Sequence, residues 1–481
     1  MFDARPIFYV IGLLVVALGG TMILPLFLDL WNGDANWRAF GLAALVTAII
    51  GGAAALYGRG ADRKLNIQQT FILTTGVWLV LPIFSALPFI FGAPHVGVTD
   101  AFFEAMSGMT TTGATVLNGL EDLPRGTLLW RGLLQWFGGI GVVVVAMVFL
   151  PVLRVGGMQI FRTEGFDTFG KILPRAAEIS RSISQIYLLL TIICFFAYSI
   201  AGLGPFDAIV HAMTTIATGG FSNYDGSFSA LGAGAEYVGV VFMVLAALPF
   251  VRYIQLVSGT PEAVWKDPQV RAFFGITVAV VLVLTLWRVT FVTSDTEYAF
   301  RKALFNGVSI LTGTGYASDN YMQWGSFAIT VFFLIGLIGG CAGSTSCSIK
   351  IFRFQLLFAS VSTQVKRIHS PSGIFEPRYA GRRVEEDVIS SVMAFLVLFM
   401  VSLAVTAVLL SFTGLDLITS ISGAAAALAN IGPGLGEIIG PTGYYGGLNE
   451  TAKWVLAFAM LLGRLELMAV LVLLTRSFWR G

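Results

Sequence analysis

The sequence predicts an all-α polytopic membrane protein with ten spans. Four pseudo-repeated units of helix, pore helix, filter loop and helix surround one pore, and a two-helix hairpin precedes them. Three observations carry that expectation. The 481 residues are 56% hydrophobic and 12% charged, whereas a soluble chain carries about 25% charged residues to cover a water-facing surface. Apolar stretches of about 20 residues, the length that crosses a bilayer, recur along the whole chain. Short glycine-centred segments recur about every hundred residues: Thr110–Thr115, Ala217–Ser222, Thr312–Tyr316 and Asn430–Gly436. A repeat of this kind, four times over, is what one chain needs to build a four-sided ion pore.

Spans 7–30 and 39–57 form the hairpin, expected over residues 1–64. The stretch Ile7–Leu30 is too long for a signal peptide and lacks a clear cleavage site, so it reads as a retained span. Spans 69–92 and 127–150 frame the first repeat (65–170), and spans 184–203 and 234–257 the second (171–266). Spans 272–293 and 325–358 frame the third (267–370), and spans 388–413 and 451–475 the fourth (371–481). The eighth span is interrupted at Gly339–Cys347.

Between each framing pair lies an apolar run too short to cross: 100–110, 206–216, 297–311 and 416–429. Each opens near an acid, respectively Asp100, Asp207, Asp295 and Asp416. Such runs fit re-entrant half-helices, tolerable at membrane depth only where protein or a water-filled cavity surrounds the broken backbone.

Basic residues set the orientation. Arg59, Arg63 and Lys64 follow the second span, and Arg154, Arg162, Lys171, Arg175 and Arg181 follow the fourth. Lys266 and Arg271 lie between the sixth and seventh, and Lys366, Arg367, Arg378, Arg382 and Arg383 between the eighth and ninth. Arg476 and Arg480 close the chain. All share one side if both termini are cytoplasmic, and the four loops then enter from outside. Arg301 and Lys302 fall on the outer side as exceptions.

Other classes find little support. A net charge of +2 gives no reason to expect nucleic acid. Cys194, Cys341 and Cys347 have no ligand spacing and read as small buried thiols. His95, His211 and His369 are scattered, which speaks against a metal site or a histidine-based enzyme. A membrane-embedded acyltransferase or protease would need a converging nucleophile and base, and no such set is visible. No GxGxxG follows a strand and no GxxxxGK[ST] is present, so nucleotide is expected only on a separate subunit. No covalent or organic cofactor is expected.

A dehydrated cation needs oxygens in place of its water shell, and inward-turned backbone carbonyls supply them. Such backbone demands positive φ, which glycine adopts without a steric penalty. The sequence therefore places Gly113, Gly219, Gly315 and Gly432 around the axis. The expected cation ligands are the backbones of Thr111, Thr112 and Gly113; of Ala217, Thr218 and Gly219; of Gly313, Thr314 and Gly315; and of Asn430, Ile431 and Gly432. Half-helices ending there point their negative dipole ends at the centre, which favours a cation over an anion.

Along nearly its whole length the chain resembles the Trk/Ktr/HKT superfamily of cation transporters, specifically its bacterial Trk-type potassium-uptake membrane subunits. The resemblance is strongest at Glu104–Val116, Ile338–Lys350, Leu428–Glu437 and Met460–Arg480. It implies K+ as the transported ion, a homodimer with one pore per protomer in the bacterial inner membrane, and a cytosolic ring of nucleotide-binding regulatory subunits. A sodium-preferring or weakly selective transporter of the same superfamily is the alternative, and Gly113 argues against it because sodium-favouring members tend to carry serine there. Two departures concern the filter: Gly313 stands where threonine is more usual, and Asn430-Ile431 precedes the Gly-Pro-Gly of the fourth loop.

By the same resemblance Gly339–Cys347 is an intramembrane gating loop, with Gly339, Gly340, Ala342, Gly343, Ser344 and Thr345 as its mobile residues; a packing kink between helices is the plainer reading. Ser346 and Cys347 replace more usual glycines there, which would stiffen the loop. Lys350 and Arg353 would face the inner vestibule or the regulatory subunit. Arg464 lies mid-span, where an arginine costs about 2.5–3.5 kcal/mol on insertion scales, so it is expected beside the cavity or an acidic partner, and not paired with Glu466. The resemblance implies that it lies close under the filter and belongs with the gating residues. Glu104 and Glu437 would raise cation concentration at the mouth, or Glu104 would brace the filter by hydrogen bonds.

Overall fold

The computed structural model describes residues 3–60, 65–145, 157, 158, 160 and 172–480. These residues are mostly helical, as expected; the strands among them are the two-residue pieces Arg378–Tyr379 and Arg382–Arg383, paired antiparallel. Arg63, Lys64, Arg154, Arg162 and Lys171, the side chain of Arg175, the end of the fourth span at 146–150 and the repeat boundary near 170 lie outside the described residues.

Among the described residues seven helices are long and apolar enough to cross a membrane: Arg5–Trp31, Trp37–Tyr57, Ile67–Phe91, Arg125–Val144, Ser180–Ile200, Pro268–Phe291 and Glu386–Phe412. Large apolar side chains such as Phe27, Leu45, Ile49, Leu286 and Val408 stand exposed on them, as lipid-facing surfaces require. Two further pairs reach membrane length only together. Ala233–Ala246 and Phe250–Val257 meet at 88°, and Glu450–Arg464 and Met468–Leu474 meet at 106°.

The expected sixth and tenth spans are therefore sharply bent. Pro249 breaks the sixth, because its ring fixes φ and removes a donor. Glu466 and Leu467 break the tenth with φ of 55° and 51°, a left-handed path that no right-handed helix continues. The eighth is an 11-residue helix, Ser326–Gly336, followed by non-helical chain and then Ile351–His369. The described residues thus give seven membrane-length spans, or nine with each bent pair counted as one, and not the ten expected; hydropathy averages over a window and overlooks a turn made of apolar residues.

The N-terminal helices pack backbone to backbone. A Cβ on Gly12 would lie 2.7 Å from Gly51 O, and one on Gly51 3.0 Å from Gly12 O, the close approach that small residues give membrane helices. The fully buried Asp29 fastens this hairpin to the helix Arg125–Val144. Its Oδ1 accepts from Gly126 N at 2.6 Å and its Oδ2 from Asn36 Nδ2 at 2.8 Å, so a carboxylate sits against the positive end of a neighbouring helix.

Candidate functional site

Four short helices precede the glycine segments: Val98–Met109, Pro205–Ile216, Thr296–Leu311 and Leu417–Ala429. Acids mark all four starts, as the helix dipole favours. Asp100 and Asp207 lie in first turns, while Asp295 and Asp416 are N-caps accepting from Tyr298 N at 3.0 Å and Thr419 N at 3.1 Å. Hydrogen bonds from Thr419 hold the Asp416 carboxyl below the usual carboxylate range.

All four helices end in the same turn. Thr111 N donates to Gly108 O and Thr112 N to Ser107 O, at 3.0 and 2.9 Å. The matching pairs are Thr218 to Thr215 with Gly219 to Thr214, Gly313 to Ile310 with Thr314 to Ser309, and Asn430 to Ala427 with Ile431 to Ala426. This paired pattern is a Schellman closure, whose first residue beyond the helix must be left-handed. Thr111, Thr218, Gly313 and Asn430 occupy that place with φ of 52°, 48°, 76° and 51°. The glycine at 313 is the unstrained version of a position that the first two loops fill with threonine.

That shared turn fixes the register and corrects the second loop. Two residues after the left-handed position come Gly113, Gly220, Gly315 and Gly432, not Gly219. Gly113, Gly220 and Gly315 have φ of 83°, 81° and 84°, whereas Gly219 and Gly432 do not adopt positive φ. Ala217, expected as a loop ligand, is the cap of its helix.

The same four glycines close a ring. A Cβ on Gly113 would overlap Gly219 O, and one on Gly220 would overlap Thr314 O. On Gly315 it would meet Gly432 N at 2.8 Å, and on Gly432 it would meet Gly113 O at 2.9 Å and Thr112 O at 3.3 Å. First loop touches second, second touches third, third touches fourth, and fourth returns to first. All four glycines line one open cavity of about 260 Å³, walled also by Asn118, Tyr224, Asp225 and Tyr444. Among the described residues no group of three or more His, Cys, Asp or Glu side chains could hold a metal ion.

Buried side chains hold each loop. Glu104, fully buried, accepts from Thr115 Oγ1 and Val116 N at 3.0 Å and from Arg131 Nε at 2.8 Å. It braces the first loop from a buried position and does not face the mouth. Arg131 also donates to Ser222 O at 2.8 Å, and Gln135 bonds Gly219 O and Phe221 N. Tyr316 Oη lies 2.5 Å from Thr214 Oγ1, tying the third loop to the second helix. Asn430 Nδ2 reaches Thr112 Oγ1 at 3.0 Å, and Tyr445 Oη donates to Gly432 O at 2.9 Å.

The stretch after Gly336 lies against this ring. Gly339 N donates to Ile349 O at 2.9 Å, Cys341 N to Ala247 O at 3.0 Å, Ala342 N to Gln269 Oε1 at 2.8 Å and Ser348 N to Ala429 O at 3.0 Å. Gly343 O accepts from Phe250 N at 3.0 Å, Ser344 Oγ donates to Cys341 O at 2.7 Å, and Thr345 Oγ1 donates to Ala246 O at 3.1 Å. Gly340 N donates to Ser346 Oγ at 2.8 Å. The break at Pro249 thus has a use: it frees the carbonyls of Ala246 and Ala247, which the loop then satisfies.

Arg464 is buried beside the same loop and not against an acid. It donates to Cys347 Sγ at 2.8 Å and Gly138 O at 3.0 Å, and its guanidinium lies 5.6 Å from the Trp78 ring centre. Glu466 pairs instead with Arg353, and Lys350 reaches Ser346 O. Both basic residues are buried, so neither is displayed to a partner. Sequence reasoning missed Gly220, Arg131, Gln135, Tyr316 and Tyr445. The one available signal was Arg131 and Gln135 at helical spacing inside an apolar span.

Membrane-length helices arranged about a ring of backbone loops mark an integral membrane protein. A family model described as TrkH, cation transport protein, matches residues 39–479. The Trk system potassium uptake protein TrkI of Halomonas elongata is 42% identical over 99% of this chain and 97% of its own. TrkH of Escherichia coli is 37% identical over 99% of each. The crystal structure of the potassium transporter TrkH from Vibrio parahaemolyticus superposes with a TM-score of 0.92 at 36% identity, covering 100% of both chains. The chain belongs to the TrkH family of cation transport proteins.

Proposed function

We propose that this protein carries potassium down its electrochemical gradient across the bacterial inner membrane, through a filter formed by the four glycine loops. The observation that carries this reading is the ring: four loops with one shared backbone turn, each touching the next, around one open cavity. Potassium as the ion is supported by the names of relatives aligned over 99% of this chain. The four repeats would share that single pore.

The loop Gly339–Cys347 is the proposed gate, since it lies against the ring with small side chains whose displacement costs little sterically. The positions of Arg59, Lys266, Lys366 and Arg476 support cytoplasmic termini. A homodimer working with a cytosolic nucleotide-binding subunit completes the reading, supported by the relatives' naming as parts of a Trk system. Radiotracer potassium uptake into cells lacking their own potassium transporters tests it. Uptake should depend on this chain and exceed sodium uptake; equal or greater sodium uptake would favour the sodium-preferring alternative.

A further inference from the structure

We propose that Gln135 is a positioning residue that sets potassium preference by holding the second loop from behind. Gln135 is fully buried, and both ends of its amide are engaged. Nε2 donates to Gly219 O at 2.6 Å, and Oε1 accepts from Phe221 N at 3.0 Å. These bonds grip the two peptide units on either side of Gly220, the glycine that the backbone register places in the ring. A trans peptide is planar, with N–H and C=O pointing opposite ways. Drawing Phe221 N–H toward Gln135 therefore turns Gly220 C=O away from that helix, and holding Gly219 O fixes Gly220 N–H in the same manner. Gly220 has no Cβ to limit its φ and ψ, so its orientation is set from outside.

The neighbouring residues reinforce the arrangement. Arg131, one helical turn before Gln135, donates to Ser222 O, so successive residues of the loop are held by a single helix face. A Cβ on Gly219 would overlap the Gln135 side-chain amide. Gly219 is thus a glycine because Gln135 occupies the space a side chain would need, not because its backbone demands positive φ. Gln135 and Gly219 form one device.

This inference rests on reading the loops as a potassium filter, and its test separates the two. The full-length protein is reconstituted in planar bilayers, and the K+ over Na+ permeability ratio is taken from the reversal potential, which does not depend on how many molecules fold. Gln135→Met removes both bonds at similar size, Gln135→Glu removes the donor, and Gly219→Ala displaces the amide. Gln135→Glu should lower the ratio about five-fold, the effect of losing one buried hydrogen bond of ordinary strength, and Gln135→Met and Gly219→Ala, which lose both bonds, should lower it further. Combining Gly219→Ala with Gln135→Met should add nothing further, because both break the same contact. A wild-type ratio in any of the three single variants overturns the proposal. A wild type without potassium preference instead overturns the filter reading.

Discussion

Ser346 Oγ donates to Thr312 O at 2.7 Å while accepting from Gly340 N at 2.8 Å. One hydroxyl thus joins the non-helical loop to itself and to the helix end that carries the third glycine loop. The sequence suggested that serine in place of glycine would stiffen this segment, and the hydroxyl's two bonds supply the means. If the loop is the gate, opening must break the bond to Thr312. Ser346→Ala should raise basal potassium flux in liposomes without any regulatory subunit by about five-fold, the share of one ordinary hydrogen bond in the closed state. Unchanged flux in a well-assembled variant would show that Ser346 stays put on opening.

Gly113→Ser should erode potassium preference. A Cβ at Gly113 would overlap Gly219 O, and φ of 83° is a path that side chains rarely adopt. The backbones of the first two loops must move apart, widening a ring that closes through that contact. The protein should still reach the membrane, because its helices are untouched. Reversal potentials under bi-ionic conditions give the answer, and a wild-type ratio would remove Gly113 from the filter.

Much of this was legible in the sequence because it depends on local chemistry. Apolar length marked the membrane helices, and the acids at Asp100, Asp207, Asp295 and Asp416 marked the short helices. What stayed hidden depends on partners far apart in sequence. The choice between Gly219 and Gly220 is settled by a hydrogen-bonded turn, and a run of two glycines cannot show which one turns. The pairing of Arg353 with Glu466 spans 113 residues, and that of Arg131 with Glu104 joins a helix to a loop brace. The bends at Pro249 and at Glu466–Leu467 lie inside apolar windows that look continuous.

Breaking the Glu104–Arg131 pair should cost assembly before it costs selectivity. Both side chains are fully buried, and removing one partner of such a pair strands the other, at about 3–5 kcal/mol. Glu104→Ala should therefore lower the thermal unfolding midpoint in detergent and reduce the yield of monodisperse protein. Glu104→Gln, which keeps the contacts to Thr115 and Val116 while losing the charge, should fall between that variant and wild type. Equal midpoints for all three would show that the pair contributes nothing to the folded state.

The loop and Arg464 can be separated by paired variants. Arg464 donates to Cys347 inside the loop and to Gly138 O on the helix Arg125–Val144, so it is both a fixed charge near the ring and a clasp on the proposed gate. Deleting Ala342–Ser346 removes the bonds to Gln269, Ala246 and Thr312 together, and should raise flux and make it insensitive to the regulatory subunit. Arg464→Ala should raise flux less, because the remaining loop bonds persist, and should leave control by that subunit intact. Arg464→Lys keeps the charge but cannot span both acceptors with a planar fork. If charge governs, lysine should restore wild-type conductance; if the clasp governs, lysine should behave as alanine does. Single-channel conductance and flux with and without the regulatory subunit distinguish these outcomes. A deletion variant that assembles normally, yet conducts and responds as wild type does, would place the gate elsewhere, at the glycine ring itself.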